Sequence, residues 1–550
     1  MQQFNSPLSA FEYWEHTTPN KEYLRQYING ELKIYTFKKA GDEARRIATA
    51  INGFNLPPKS NVALLSSNCA NCAHWVMADL AIMMSGHTSI PIYPTLQAET
   101  IEFILEHSEA KAIIVGKLLD FESQKSAIKN MPIISVEMYG IKDEYTWENL
   151  VLKNEPLQST TKQDVDHLLT IIYTSGTTGN PKGVMHTVGS FTNASNAFLK
   201  AIELKNQPRF FSYLPLSHIA ERIGLEIGGM FRGASMTFSE SLETFASSLE
   251  ATQPDLFFAV PRIWEKFKEK ILLGLPQKKL NKILRLPIIG GLVKKKIKKK
   301  LGLSKATHIY SGAAPIAVSL LEWYKKLGIT ILQGYGMTED CILSHSNLPD
   351  TNRIGTVGKP MKGAQTKLSP EGEICILNDC LMKGYYKEPE QTAAIFDEEG
   401  YLKTGDIGEY DHDGYLTITG RAKDQFKTDK GKYIFPVPIE LELSKNPNID
   451  QVCIVGMGIP QPILLVVTSE EGKKKSKDEL SENLINMIQN INPTLEKHEK
   501  IEKAVIMTEE WTVANGLMTP TLKIKRSQVE KIHRPMYKSW FDLEHKVIFE

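Results

Sequence analysis

The chain carries almost no net charge, since 65 Lys and Arg face 64 Asp and Glu and leave +1 over 550 residues. That balance excludes the global basic field that draws a protein to nucleic acid. No stretch of 18 apolar residues runs free of charge, which argues against a membrane span. Only six cysteines are present, too few for a disulfide framework, so reduced thiols in a cytoplasmic protein are expected. Cys69 and Cys72 form a lone C-x-x-C with no second pair or nearby histidine pair for zinc, and they read as ordinary thiols. The start, "MQQFNSPLSAFEYWEH", has neither a basic nor an apolar leader region and does not read as a signal peptide. No internal repeat is evident.

What is present is ordinary globular material, 42% hydrophobic and 23% charged, in a chain too long for one core. "YINGELKIYTF" sets Asn29-Gly30 between short apolar runs and predicts a two-residue hairpin. From about residue 40, apolar strands alternate with helices: "NVALLSS", "WVMADLAIMMSG" ending at Gly86, "TSIPIYP", "ETIEFILEHSEA" and "KAIIV". In the fourth of these, Ile101, Ile104 and Leu105 share one helical face. The alternation continues through "LLTIIYTS", "MTFS", "DLFFAV" and "HIYSG", and predicts layered α/β structure with largely parallel strands. After about residue 365 come short strands with Asp/Gly turns, Asp413-Gly414 being the clearest. Past Arg421 a Lys-rich stretch leads to two more strands, "VCIVGMG" and "PILLVVTS". The expected division is a large N-terminal domain, 1–421, of layered α/β subdomains plus a β-rich part, and a small α+β domain, 422–550.

One segment, "KKLNKILRLPIIGGLVKKKIKKKLGLSK" (278–305), concentrates positive charge. It reads as helices around a Gly290-Gly291 break, either a solvated face or a basic surface, Lys294–Lys300, that attracts anionic lipid.

The chemistry centres on "TIIYTSGTTGNPKGVMHT" (170–187). An apolar strand runs into Thr174, Ser175, Gly176, Thr177, Thr178 and Gly179. Backbone N–H groups freed by glycine, with hydroxyls beside them, can wrap phosphate oxygens, and Lys182 adds a point charge. The usual phosphate loop needs a second Gly five residues after Gly176, followed by Lys-Ser/Thr. Here Pro181 stands at that place and Lys182 precedes Gly183.

The stretch "YTSGTTGNPKGV" resembles the phosphate-loop signature of the adenylate-forming superfamily of acyl-CoA synthetases, adenylation domains and luciferases. The resemblance extends from about residue 35 to 535. It implies that the loop grips the β- and γ-phosphates of ATP while a substrate carboxylate attacks the α-phosphate. "QGYGMTED" resembles the motif whose Tyr335 packs on adenine, with Gly336 next to it. In that motif Thr338 faces the α-phosphate, and Glu339, with Thr174, binds Mg2+. "SGAAP", holding Gly312 and Ala313, resembles the loop beside the adenine and the acyl pocket. Asp406 in "YLKTGDIG" resembles the carboxylate on the ribose hydroxyls. Arg421 and Lys423 in "GRAKD" resemble the ribose–phosphate arginine and the interdomain hinge. "TPTLKIKR" resembles the C-terminal motif with the adenylation lysine. That lysine stands three before the arginine, which selects Lys523 over Lys525. Gly431 and "KYIFP" match the pantetheine approach for CoA.

"YLPLSHIAER", "FFAVPRIWEKF", "GEICILNDCLMKGYYKEPEQT" and "LMTPTLKIKR" look like the long-chain fatty acyl-CoA synthetase group. His218 there matches the edge of the carboxylate and acyl pocket. The implied activity is formation of acyl-AMP from a fatty acid and ATP with Mg2+, then transfer to CoA, with a mobile C-terminal domain. The family's "YIAPEKIE" reads "YIFPVPIE" here, with Val437 and Pro438 at charged positions. A fatty acyl-AMP ligase serving a carrier protein, or a non-catalytic nucleotide- or lipid-binding homologue, therefore stays open. A cytoplasmic location, including the inner membrane face, is expected. The oligomeric state is left open, a homodimer included.

Overall fold

The computed structural model describes residues 3–67, 72–174, 180–241, 243–519 and 523–550. It divides into two compact units: 1–313 with 320–366 and 376–402, and 314–319 with 367–375 and 403–550.

The first unit is built on an eight-stranded sheet. Strands Leu168–Thr174, Thr88–Ile92, Asn61–Leu65, Ala112–Val115, Ile133–Ser135 and Tyr145–Thr146 run parallel in that order. Lys182–Thr187 and Gly384–Tyr385 add antiparallel strands at one edge. The interior strands Thr88–Ile92, Asn61–Leu65 and Ala112–Val115 are buried along almost their whole length, as a parallel sheet covered on both faces requires. Helix Ala73–Met84 is buried on all sides, and helix Ala98–His107 buries Ile101, Ile104 and Leu105, the predicted face. The helix 73–84 stops where Gly86 takes φ +76°, a left-handed cap that glycine adopts without strain.

A second sheet in this unit aligns Leu256–Ala259, His308–Ser311 and Leu332–Tyr335 in parallel, followed by His345–Ser346 and Lys359–Pro360 antiparallel. A third contains the predicted hairpin, Glu22–Ile28 with Glu31–Thr36. Asn29 and Gly30 both have positive φ, as a type I′ turn demands.

In the basic segment the helical break does not fall at Gly290-Gly291. Helices Gln277–Leu284 and Pro287–Lys300 are parted at Leu284–Pro287, and the second runs straight through both glycines. Pro287 is suited to a first helical position, where its missing N–H has no partner to lose. Gly290 serves close approach instead: a Cβ there would stand 3.0 Å from the Ile283 carbonyl oxygen.

In the second unit, Leu402–Tyr410 and Leu416–Arg421 form an antiparallel hairpin whose turn places Gly414 at φ +79°. Toward the C-terminus a four-stranded sheet orders Ile449–Val455, Ile463–Thr468, Lys503–Ile506 and Val547–Phe549. One face packs with helix Lys477–Ile491, the other with Trp511, Tyr537 and Trp540. This is the α+β texture that the alternating short strands imply.

Candidate active site

In the first unit the chemistry-bearing residues gather at the carboxyl ends of parallel strands, where open α/β sheets present their ligand sites. Thr174 ends strand Leu168–Thr174 and pairs in register with Lys182. Ser175, Gly176, Thr177, Thr178 and Gly179 lie outside the described residues, as do Cys69 and the Pro520–Leu522 part of "TPTLKIKR". Gly312 and Ala313 follow strand His308–Ser311, and Ala313 sits at φ +64°. A Cβ on Gly312 would stand 3.0 Å from the Gly334 carbonyl and 3.2 Å from the Phe258 ring. Tyr335 ends strand Leu332–Tyr335 and pairs with His345. At Gly336 a Cβ would lie 2.4 Å from the Ile342 Cα, so only glycine lets the chain fold back on itself here.

The fold-back carries Thr338 and Glu339 in a short 3₁₀ turn. Asp340 closes that turn by accepting a bond from the Met337 N–H at 2.8 Å. Burial pushes the Asp340 carboxyl up to about 7, against the pull of that N–H. Glu339 is buried, at 7% exposure, and accepts a hydrogen bond from the Tyr385 hydroxyl at 2.8 Å. The Lys182 ammonium stands 5.0 Å over the Tyr385 ring. Tyr385 therefore joins two predicted site residues, one by its hydroxyl and one by its face. Burial and then the Glu339 carboxylate raise the phenol well above its ordinary range, so it stays a donor.

His186 ties the turn to the eight-stranded sheet. Its Nε2–H donates to the Thr338 carbonyl at 2.7 Å, which fixes the tautomer. Burial pushes its imidazole down to about 4, opposed by that bond and aided by Arg222. At neutral pH it is a neutral clamp.

Beneath strand Leu168–Thr174 lies a buried ionic group that no motif signalled beyond the quoted "LPLSHIAER". The fully buried Arg222 donates to both Asp79 oxygens, at 2.7 and 2.8 Å, and to the Thr170 hydroxyl at 2.6 Å. Its guanidinium also faces the Trp75 and Phe191 rings. Burial, then Asp79, raises the Glu226 carboxyl well above the usual range. Neutral Glu226 leaves one cation against one anion, the arrangement that a dry interior tolerates. His218 stands four residues before Arg222, capping a short helix by accepting from the Ala220 N–H at 3.2 Å.

In the second unit, Asp406 and Arg421 face each other across the hairpin, Arg421 Nε donating to Asp406 Oδ1 at 2.7 Å. Glu373, which sequence reading missed, accepts from the Gly405 N–H at 2.8 Å, and Thr404 accepts from the Asp406 N–H at 3.1 Å. Lys423 is exposed in the turn that follows. Gly431, at φ +75°, sits in the turn between Phe426–Lys427 and Tyr433–Ile434. Lys523 lies in a loop closed by the bridge of Met518 with Ile524 and by its own N–H to Thr519 Oγ1, 3.1 Å. Its residue surface is exposed, yet crowding of the ammonium, then Arg421, pushes it down to about 8 while Asp406 pulls it back. Arg526, used in the sequence only as a marker for Lys523, ion-pairs with Glu440 and so holds the end of that loop.

These features describe an α/β chain of two units, with the motif residues at strand ends in one and in loops and a hairpin in the other. Residues 11–386 match the AMP-binding enzyme family and residues 423–539 its C-terminal domain; the chain belongs to the AMP-binding enzyme family. A long-chain-fatty-acid–CoA ligase of Xenopus laevis, ACSBG2, is 28% identical, with 92% of this chain and 79% of that protein covered. Long chain acyl-CoA synthetase 2 of Arabidopsis thaliana is 28% identical over 96% of this chain and 90% of its own. Among solved structures, the adenylation domain of a Mycobacterium chelonae carboxylate reductase superposes with TM-score 0.81 at 20% identity. That match covers 98% of this chain and 91% of the other. The anthranilate CoA ligase AuaEII, solved with anthranoyl-AMP, gives TM-score 0.77 at 20% identity, covering 97% and 98%. Both share the fold. Among the described residues no helix is long and apolar enough to cross a membrane.

Proposed function

We propose that the chain is a long-chain fatty acid–CoA ligase. It joins a fatty acid to AMP with release of pyrophosphate, then passes the acyl group to CoA. The supporting observation is the Lys182–Tyr385–Glu339 constellation beside Thr174 and Thr338, within a chain whose relatives are named for this reaction.

A carboxylate is a poor electrophile and is repelled by ATP. The reaction is therefore driven by placing cations and donors where charge develops, with little covalent work by the protein. Lys182 and the loop 174–179 hold the departing pyrophosphate. Thr338 orients the α-phosphate, and Tyr335, Gly312 and Ala313 bound the adenine. Asp406 and Arg421 take the ribose, and Lys523 neutralises charge at the reacting phosphate. His218 borders the acyl pocket.

The donor chemistry fits Mg2+. A buried carboxylate, Glu339, and a hydroxyl, Thr174, are hard oxygen ligands. Among the described residues no cluster of three His, Cys, Asp or Glu could hold a metal by itself. That is the pattern for a cation held chiefly by one carboxylate, water and substrate phosphates. When bound, Mg2+ would neutralise phosphate charge.

The mobile part spans 422–550, swivelling at Lys423 so that Lys523 withdraws and Gly431 lines the thiol's approach. The chain works in the cytoplasm and at the inner face of an anionic membrane that Lys294–Lys300 contacts. The protein is to be incubated with ATP, Mg2+ and palmitate, with and without CoA, while AMP and palmitoyl-CoA are followed. CoA-dependent palmitoyl-CoA with matching AMP is expected. Acyl-AMP that accumulates despite CoA would assign the acceptor to a carrier protein instead, and no product at any chain length would overturn the reading.

A further inference from the structure

Between Glu269 and Glu322 the sequence contains no acidic residue, while 277–300 holds ten lysines and arginines. Lys278, Lys279, Lys282, Arg285, Lys295, Lys296, Lys299 and Lys300 are exposed in the helical hairpin of Gln277–Leu284 and Pro287–Lys300. Charge is only half of what this surface presents. Large apolar side chains are exposed on the same hairpin: Ile288 at 81%, Leu292 at 62%, Ile289 at 51% and Leu286 at 49%, with Leu273 at 85% nearby. From Arg285 to Ile289 every residue is exposed.

The pattern has a direction. On helix Pro287–Lys300, Ile288, Leu292, Lys295 and Lys299 follow helical spacing along one face, so apolar groups occupy its first turns and cations its last ones. The tip is apolar and the base is basic. The tip is also stiffened, because Gly290 lets the second helix lie against the backbone of Ile283 and Leu284. A solvated face needs the cations but gives no reason for four exposed Ile and Leu at the bend. A bilayer interface gives a reason for both, since stable peripheral anchoring takes an apolar insertion and an electrostatic attraction together.

We propose that the hairpin 277–300 is a membrane wedge. Leu286, Ile288, Ile289 and Leu292 enter the headgroup–acyl boundary of an anionic bilayer while the flanking lysines lie against lipid phosphates. The proposal deepens, and takes its purpose from, the reading of a long-chain acid as substrate, because such acids partition into bilayers. The wedge places the enzyme where its substrate is concentrated.

The test is flotation of the full chain with vesicles of phosphatidylcholine alone and of phosphatidylcholine with 30% phosphatidylglycerol. Two variants are compared, I288S/I289S/L292S and K295Q/K296Q/K299Q/K300Q. Binding to the anionic vesicles, weakened as salt rises, is expected. At roughly fivefold per lysine near the surface, the four-lysine variant should lose binding by about 600-fold. The apolar variant should lose it by at least tenfold at any salt. Equal binding to both vesicle types, or undiminished binding of either variant, would overturn the proposal. So would release of the native chain from anionic vesicles by a short RNA duplex that itself binds the hairpin more tightly. A native dimer that I288S/I289S/L292S converts to monomer, with no vesicle binding, would assign the patch to self-association. Octanoyl-CoA formation from soluble octanoate is measured for each protein. If the native chain makes octanoyl-CoA but does not dock, the wedge is wrong and the ligase reading stands, and if it docks but makes none, the reverse holds. In the two variants, activity kept while docking is lost is the expected result.

Discussion

Replacing Tyr385 by Phe removes one oxygen from the site and leaves the aromatic face that Lys182 covers. The lost group is the donor of a 2.8 Å bond to Glu339. A hydrogen bond to a charged group contributes about 1.5–3 kcal/mol, and here the acceptor is a buried carboxylate that can recruit little water in exchange. Two effects should follow. Glu339 becomes easier to protonate, and its oxygen is no longer aimed. Loss of a partner that orients a metal-ligating group typically lowers metal affinity by about 10–100-fold. Y385F should therefore raise the Mg2+ concentration for half-maximal ATP–pyrophosphate exchange by about tenfold or more. At saturating Mg2+ the exchange rate should return to within about threefold of the native rate, since the hydroxyl acts through the Glu339 carboxylate to which it donates. Mn2+ binding followed by electron paramagnetic resonance in the presence of ATP gives a readout independent of turnover. Thermal unfolding checks that the variant is folded. An unchanged Mg2+ midpoint in a folded Y385F protein would sink the assignment of Glu339 as a metal ligand oriented by Tyr385. A fall in rate that no Mg2+ concentration restores would move the hydroxyl into the chemistry itself.

Four further outcomes are expected. Glu221 accepts from the Ser212 hydroxyl and the Tyr213 N–H, and burial pushes its carboxyl from 4.5 up to about 8. Folding then requires proton uptake between those values, and stability falls as pH rises through that window, by about 1.4 kcal/mol per unit at most. E221Q, which keeps the acceptor, should therefore gain on the native protein in urea unfolding from pH 5 to pH 8 and level off above; a pH-independent difference would refute this. R222M leaves Asp79 buried without its cation and should cost about 3–5 kcal/mol, with R222M/D79N recovering part, and a stability change under 1 kcal/mol would contradict the buried pair. Lys523 is charged below its depressed value of about 8, so adenylation should decline as pH rises through that value. K523R, charged throughout, should abolish the decline, and the same limb in K523R would place the titrating group elsewhere. Finally, V437E/P438K should change the KM for CoA and leave the AMP-forming half reaction within about twofold, as separate assays of the two halves would show.

What could be read in advance was what is local along the chain. The Asn29-Gly30 hairpin, the Ile101, Ile104 and Leu105 face and the stop at Gly86 each follow from a few neighbouring residues whose φ preference or periodicity leaves one outcome. The motifs that carry Thr174, Glu339, Asp406 and Lys523 stood out because each is contiguous. The residues that hold them are not contiguous with them. Tyr385 reaches Glu339 across 46 positions, Asp79 reaches Arg222 across 143, and His186 reaches Thr338 across 152. No local pattern marks such partners, since a buried charge or hydroxyl finds its mate through the tertiary fold. The misread break at Gly290-Gly291 has a similar cause. Glycine lowers helix propensity by only about 1 kcal/mol, and packing against Ile283 and Leu284 needs that small residue, whereas Pro287 cannot continue a preceding helix and sets the boundary.

The departure "YIFPVPIE" shows how far a changed motif reaches. Helix Pro436–Leu443 begins with Pro436 and carries Pro438 two residues on. The first turn of a helix has N–H groups without intrahelical acceptors, so both prolines enter without removing a bond, and their fixed φ suits the turn. From the same helix Glu440 accepts from the Ile454 N–H at 2.6 Å and pairs with Arg526, the residue that anchors the end of the Lys523 loop. The altered positions therefore lie one turn away from the frame that positions Lys523 and do not interrupt it. What they alter is the charge offered at the start of the helix, and under the proposed reaction that change is expected to act on the thiol acceptor, which the V437E/P438K comparison tests. Because the Glu440–Arg526 frame is kept, the proposal expects the AMP-forming half to be spared, and an equal loss in both halves would refute it.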